Sequence, residues 1–246
     1  MTERLSKFLS RNGVASRRKA EVMVKSGLVK VNNQEVLDPY YQVDCEHDRV
    51  SINNVPISRV PPVNIYIALN KPSGYISDLA DPKGRLLARD LIPIEGRLYP
   101  VGRLDFASEG LILFTNDGDF ANRVLHPRNE VEREYHVKLQ RPLNPLEVEK
   151  LTAGRRIDGV LYRVRSVALL SLTRKNAWYT VKATEGKNRM IRRLADSLGH
   201  GVLRLRRVRI GPVRLGMLKA GQYRHLTPLE VQRLLDEGST RLLKDF

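Results

Sequence analysis

Three prolines fall within residues 56–62 of this 246-residue chain, in the stretch PISRVPPVN, which has no apolar periodicity. Proline fixes φ and removes a backbone donor, so the stretch can continue neither a helix nor a central strand. It therefore splits the chain into a small part, residues 1–60, and a larger one, residues 65–240, with residues 61–64 as the linker. Each part is long enough to bury a core of its own.

In the small part, RLSKFLSRNG places Leu5, Phe8 and Leu9 at i, i+3 and i+4, which predicts a short amphipathic helix stopped at Gly13. Ser16 can cap a second helix, SRRKAEVMVKSG, that ends near Gly27. Its first turn carries Arg17, Arg18 and Lys19, the wrong sign for a helix N-terminus, which points to an external anion. The segments LVKVNNQEV and VSINNVPI alternate around Asn-Asn pairs and predict two hairpins. Between them, DCEHDR concentrates metal-ligand types. Read as an alternating strand it sends neighbours to opposite faces, so no metal site is expected.

From Ile65 onward, IYIALNKP, LILFTNDG, REYHVKLQ, AWYTVKATEG and LRLRRVRIGP read as strands. PLEVEKLTAG, NRMIRRLADSLGH and TPLEVQRLLDEG read as helices. The order is irregular, whereas a doubly wound sheet would alternate strictly, so the expected class is α+β with a mixed, mainly antiparallel sheet flanked by helices. In LRLRRVRIGP the alternation puts Leu203 and Leu205 on one face and Arg204 and Arg206 on the other. No GxxxxGK[ST] or GxGxxG occurs, which leaves nucleotide cofactors unsupported. The single cysteine, Cys45, allows neither an intrachain disulfide nor a thiolate cage.

The charge is uneven. Residues 1–31 carry eight Lys or Arg against two Glu, and residues 186–214 carry nine against one Asp, so two blocks hold fourteen of the net sixteen positive charges. Cations concentrated this way read as two contact surfaces for a polyanion: nucleic acid first, an anionic membrane surface as the competitor. No apolar run is long enough to span a bilayer and the first residues lack a secretory apolar core, so a cytoplasmic location without membrane insertion is expected.

Taken alone, Asp105 in LYPVGRLD reads as a turn or cap residue. Its neighbourhood, LYPVGRLDFASEGLILFTNDGDF, resembles the catalytic signature of the RsuA/RluB family of RNA pseudouridine synthases. The likeness extends to LNKPSG at 69–74, VEREYHVKL at 131–139 and EGKNRMIRRL at 185–194. HPRNEVEREYHV and NAWYTV are closer to the large-subunit RluB branch. The first 50 residues, with ASRRKAEVMVKSGLVKVNN, resemble the alpha-L RNA-binding domain first described in a small-subunit ribosomal protein.

This resemblance implies an isomerase that needs no cofactor and turns a uridine of ribosomal RNA, free or in a pre-ribosomal particle, into pseudouridine. It implies Asp105 as the catalytic carboxylate, Arg192 as the cation that pairs with it, and Tyr135 as the ring against the target base. RNA contacts are expected from Arg11, Arg17, Arg18 and Lys30 in the small domain, and from Lys71, Arg103, Arg189, Arg193, Arg204 and Arg206 in the large one. Arg103 is the candidate for the space left by a flipped base. Arg189, Arg192 and Arg193 are expected at i, i+3 and i+4 of one helix, with Arg189 and Arg193 on phosphate. A monomer is expected. Two other readings stand beside this one: a non-catalytic RNA-binding assembly factor, and the same activity on small-subunit RNA or transfer RNA. Near Leu87, where the family has a small or hydroxylated residue, the chain departs from the pattern.

Overall fold

The structure is a computed structural model that describes residues 1–58 and 63–237. The prolines at 61 and 62, part of the expected linker, and the expected domain end at 240 lie outside those residues. The chain divides into two compact units: Met1–Asn64 with Glu95–Arg97 and Asn116–Gly118, and the remainder from Ile65.

The first unit has the order β1 (Thr2–Arg4), α1 (Leu5–Arg11), α2 (Arg17–Lys25), β2 (Val29–Val31), β3 (Gln34–Glu35), β4 (Gln42–Asp44), β5 (Val50–Ile52) and β6 (Val55–Pro56). Ser16 accepts a hydrogen bond from the Lys19 N–H at 3.2 Å and so caps α2. Both Asn-Asn pairs adopt positive φ (52° and 66°, 48° and 66°), the two left-handed residues a tight hairpin turn requires. Leu5, Phe8 and Leu9 meet Ala20, Val24, Val29, Val31, Val43 and Val50 in one core.

DCEHDR is not an alternating strand. After Asp44 the chain turns, with Asp48 N–H donating to Asp44 O and Glu46 N–H to Asp44 Oδ1. The turn gathers Asp44, Glu46 and His47, whose ligand atoms lie within 4.8 Å of one another, so the expected separation of these groups is wrong. The Met1 ammonium already stands 3.6 Å from Asp44 and 3.7 Å from Glu46, and His47 Nδ1 is 3.0 Å from Asp44.

The second unit contains β7 (Tyr66–Lys71), β8 (Tyr99–Val101), β9 (Glu109–Thr115), α3 (Gly118–Leu125), β10 (Arg133–Leu139), α4 (Pro145–Ala153) and the hairpin β11 (Arg155–Ile157) to β12 (Val160–Tyr162). It continues with β13 (Ser166–Leu172), β14 (Ala177–Ala183), α5 (Met190–Asp196), β15 (Val202–Ile210), β16 (Val213–Arg214), β17 (Tyr223–His225) and α6 (Pro228–Asp236). Nine of these strands form one sheet in the order β13-β14-β10-β15-β9-β7-β17, with β16 on β15 and β8 on β9. Every pairing is antiparallel except β9 with β15. The expected mixed, mainly antiparallel sheet with flanking helices is present.

The sequence pattern follows burial. β7 and β9 are covered on both faces, Ile67, Leu69, Ile112 and Phe114 on one side and Ala68, Leu111 and Leu113 on the other, and they read as unbroken apolar runs. β10 and β14 are covered on one face and alternate strictly. β15 breaks its alternation with two register shifts against β10, between Glu134 and Tyr135 and between Lys138 and Leu139. Leu203 falls in the second shift and is 49% exposed, whereas Leu205 is buried as expected and Arg207 joins it inside.

The parallel join of β9 to β15 depends on Gly110. Its φ is +103°, and an added Cβ would sit 2.2 Å from the Arg207 carbonyl oxygen. Gly110→Ala is therefore expected to cost more than about 3 kcal/mol. Gly84→Ala, where a Cβ would meet open space, is expected to cost about 1 kcal/mol. Urea unfolding of the two variants tests this, and equal losses would contradict the steric account.

Candidate active site

Between β8 and β9 the chain makes a turn, Leu104–Ser108, that carries Asp105. Its backbone is held one carbonyl at a time. Leu104 O accepts from Ser77 Oγ at 2.9 Å, Asp105 O from Ser108 N–H at 2.9 Å, and Phe106 O from Gly74 N–H at 2.8 Å. Ala107 O accepts from an Arg192 Nη at 3.3 Å, and Ser108 O from Lys71 Nζ at 2.7 Å. Ser77 Oγ also receives the Leu104 N–H at 3.1 Å. Five consecutive carbonyls thus have donors, four of them from outside the turn, and the position of Asp105 is set before any ligand arrives.

Two guanidiniums face its carboxylate. Arg192 Nε and an Arg189 Nη each lie 3.8 Å from Asp105 Oδ2. That is too long for a hydrogen bond, so the attraction acts through space. It is screened least at Arg192, which is 11% exposed against 48% for Arg189. Arg192 directs its Nη atoms to Val202 O, Ala107 O and Ser108 Oγ, which leaves its buried Nε–H, on the Asp105 side, without a hydrogen-bond partner. Burial and the neighbouring Arg189 push the Arg192 guanidinium below its ordinary value, with Asp105 opposing them. An arginine remains charged through such a shift. Tyr135, on β10 between Val181 of β14 and Arg207 of β15, packs with the main core and keeps 8% of its surface exposed.

Several expected RNA contacts are differently employed. Lys71 is neither a phosphate contact nor a solvated lysine: it is fully buried at the end of β7 and donates to Pro72 O and Ser108 O. Burial brings its ammonium from 10.5 down to about 8, and Asp105 is the main influence holding it up. Arg189 precedes α5 in the left-handed region, at φ 50°, instead of lying on the helix, which turns it to Asp105. Arg193 pairs with Asp158 at 3.1 Å, Arg204 with Glu109 at 2.7 Å and Arg11 with Glu3 at 2.7 Å. Arg103 forms a loose, exposed contact with Asp78 at 3.3 Å. Lys30 reaches Asn54 at 3.0 Å. Among the described residues Arg17, Arg18 and Arg206 have no ion pair, and the two on α2 are exposed.

The basic block at 186–214 is thus largely an internal network. Asp105, Asp158, Glu109 and Glu132 supply its counter-charges from other stretches of sequence, and Glu185 from just before the block. Sequence reasoning missed Ser77 and Ser108, small hydroxyls with no pattern to betray them. It noted LNKPSG without seeing that Lys71 and Gly74 both serve the Asp105 turn. At Leu87, where the chain departs from the pattern, the segment is held by backbone bonds from Ile76 N–H to Leu86 O and from Ala88 N–H to Ile76 O.

Residues 65–197 match the family model of RNA pseudouridylate synthases, and residues 3–50 match that of the S4 domain. The ribosomal large subunit pseudouridine synthase B of Bacillus subtilis is 40% identical over 94% of this chain and 95% of its own length. The protein of the same name from Pseudomonas aeruginosa is 37% identical over 96% of this chain and 62% of its own length. A crystal structure of a pseudouridylate synthase superposes with a TM-score of 0.65 at 28% identity, covering 94% of this chain and 99% of the other.

The Lys71 ammonium offers a test of the site's electrostatics. Lysine side-chain NMR should show one resonance titrating near 8, and Asp105→Asn should lower it further. Because the folded protein releases this proton at about 8 and the unfolded chain at about 10.5, the group's contribution to stability rises with pH between those values. A Lys71 that titrates with the surface lysines would contradict the placement.

Proposed function

The chain belongs to the RNA pseudouridylate synthase family, and from that premise we propose that it acts on a uridine of large-subunit ribosomal RNA with Asp105 as its catalytic carboxylate. The chain is an RNA pseudouridine synthase, an isomerase. The reaction breaks the bond from N1 of the base to C1′ of the ribose, turns the base, and joins C5 to C1′. The C5 proton leaves and N1 gains one, so atoms and electrons balance without an outside reactant.

The break leaves an electron-poor centre that a nearby anion must stabilise or trap. A carboxylate can do so only while it remains charged, and burial works against that unless a cation stands by. What carries the reading is one pair of distances: Asp105 Oδ2 lies 3.8 Å from each of two guanidiniums. In this proposal Arg192 pairs with the carboxylate and orients it, and Tyr135 packs against the base. Arg17 and Arg18 take phosphates through the S4 domain, in line with their exposure at the N-terminus of α2. The enzyme works as a cytoplasmic monomer; among the described residues no helix is long and apolar enough to cross a membrane. The names of the two relatives favour large-subunit RNA over small-subunit or transfer RNA. An intact Asp105 with its paired cations favours an enzyme over a non-catalytic assembly factor.

Carbodiimide mapping of pseudouridine in total RNA tests both parts. A deletion strain should lose a site in large-subunit RNA; the wild-type gene should restore it, and Asp105→Asn should not. Restoration by the variant would remove Asp105 from the chemistry, and a lost site outside large-subunit RNA would overturn the substrate assignment.

A further inference from the structure

Phe106, next to Asp105, and Arg103, two residues before it, are exposed, and one short loop partners both. Arg103 meets Asp78, and the Phe106 ring lies under Arg85, whose guanidinium carbon is 5.6 Å from the ring centroid. Phe106 is 45% exposed, although its backbone carbonyl is tied to Gly74. The ring therefore presents an apolar face to solvent one residue from the carboxylate.

Arg85 is not free to seek phosphate. Asp81 accepts from its Nε at 3.0 Å and its Nη2 at 2.6 Å, and the same carboxylate takes the Arg85 backbone N–H at 3.0 Å. These bonds hold the Asp81 carboxyl far below the ordinary carboxylate range. The planar guanidinium is fixed in orientation and its charge is matched within the loop. An aromatic ring beside a planar, neutralised guanidinium is chemistry for stacking, not for attracting a backbone.

We propose that Phe106 and Arg85 form a stacking platform for a second nucleobase, one that neighbours the target uridine in the RNA. The inference rests on the reading of Asp105 as the catalytic carboxylate. A uridine drawn out of its stack leaves adjacent bases without a partner, and a stacking surface one residue from the carboxylate offsets part of that cost. The platform selects targets whose neighbouring base is free to leave its own stack, and it is indifferent to that base's identity, since every base presents a π face.

The test uses the full-length protein and RNA purified from the deletion strain, which holds the unmodified substrate whichever RNA that is. Single-turnover pseudouridine formation is followed as a function of enzyme concentration. Phe106→Ala is expected to raise the half-saturating concentration about tenfold to a hundredfold, with the loss expressed there more than in the maximal rate. Phe106→Trp is expected to restore most of it. Because no phosphate contact is removed, the salt dependence of binding should keep its slope in Phe106→Ala.

An unchanged half-saturating concentration, a loss confined to the maximal rate, or a shallower salt slope would each overturn the platform. Wild-type enzyme that modifies an RNA other than the large-subunit one would overturn the substrate assignment alone. The comparison of variants on that RNA would still decide the platform.

Discussion

Of the five neighbouring carbonyls in the turn at residues 104–108, the turn itself pairs only Asp105 O, and the other four take their donors from outside it. An unpaired buried carbonyl costs on the order of 1–3 kcal/mol, so the turn persists only because other elements bring donors to it. Lys71 comes from the end of β7, Gly74 and Ser77 from the segment after it, and Arg192 from α5. Much of the second unit's architecture can be understood as the means of delivering these donors. β7 and β9 pair along their whole length, which puts Lys71 opposite Gly110 and within reach of Ser108.

The same arrangement governs the charges. Lys71 and Arg192 are cations removed from most of their water, and each would be costly to bury without an anion nearby. Asp105 is that anion, influencing both of them as well as the more exposed Arg189. The carboxylate is therefore held by its neighbours and balances them in turn. Under the proposed function a single residue links reactivity to stability, in a turn that combines a polar tip with carbonyls that all have donors.

Much of the fold was legible in the sequence because burial leaves a periodic trace. Strict alternation in REYHVKL and AWYTVKA, unbroken runs in IYIAL and LILF, and Asn-Asn at both hairpins each correspond to an observed element. Bulges leave no such trace, which is why Leu203 was assigned to the wrong face. The site was legible only through its likeness to a family. GRLD as bare sequence is a turn, and nothing in the spacing of Asp105 and Arg192 brings them together. Charge counted along the chain misled for a related reason: Glu109, Glu132 and Asp158 neutralise the second basic block from elsewhere in the sequence. The Asp44 cluster shows the opposite error, since an assumed strand separated groups that a turn brings together.

The central claim is that Asp105 is the counter-charge of a largely dehydrated cationic site. Removal of a reactive carboxylate would stabilise a protein in which that group was a strained liability; here it should do the reverse, because Lys71 and Arg192 lose their anion. Urea unfolding of Asp105→Asn against the wild type at neutral pH measures this directly. A lower midpoint with an unchanged slope is the predicted result, and an equal or higher midpoint would contradict the account.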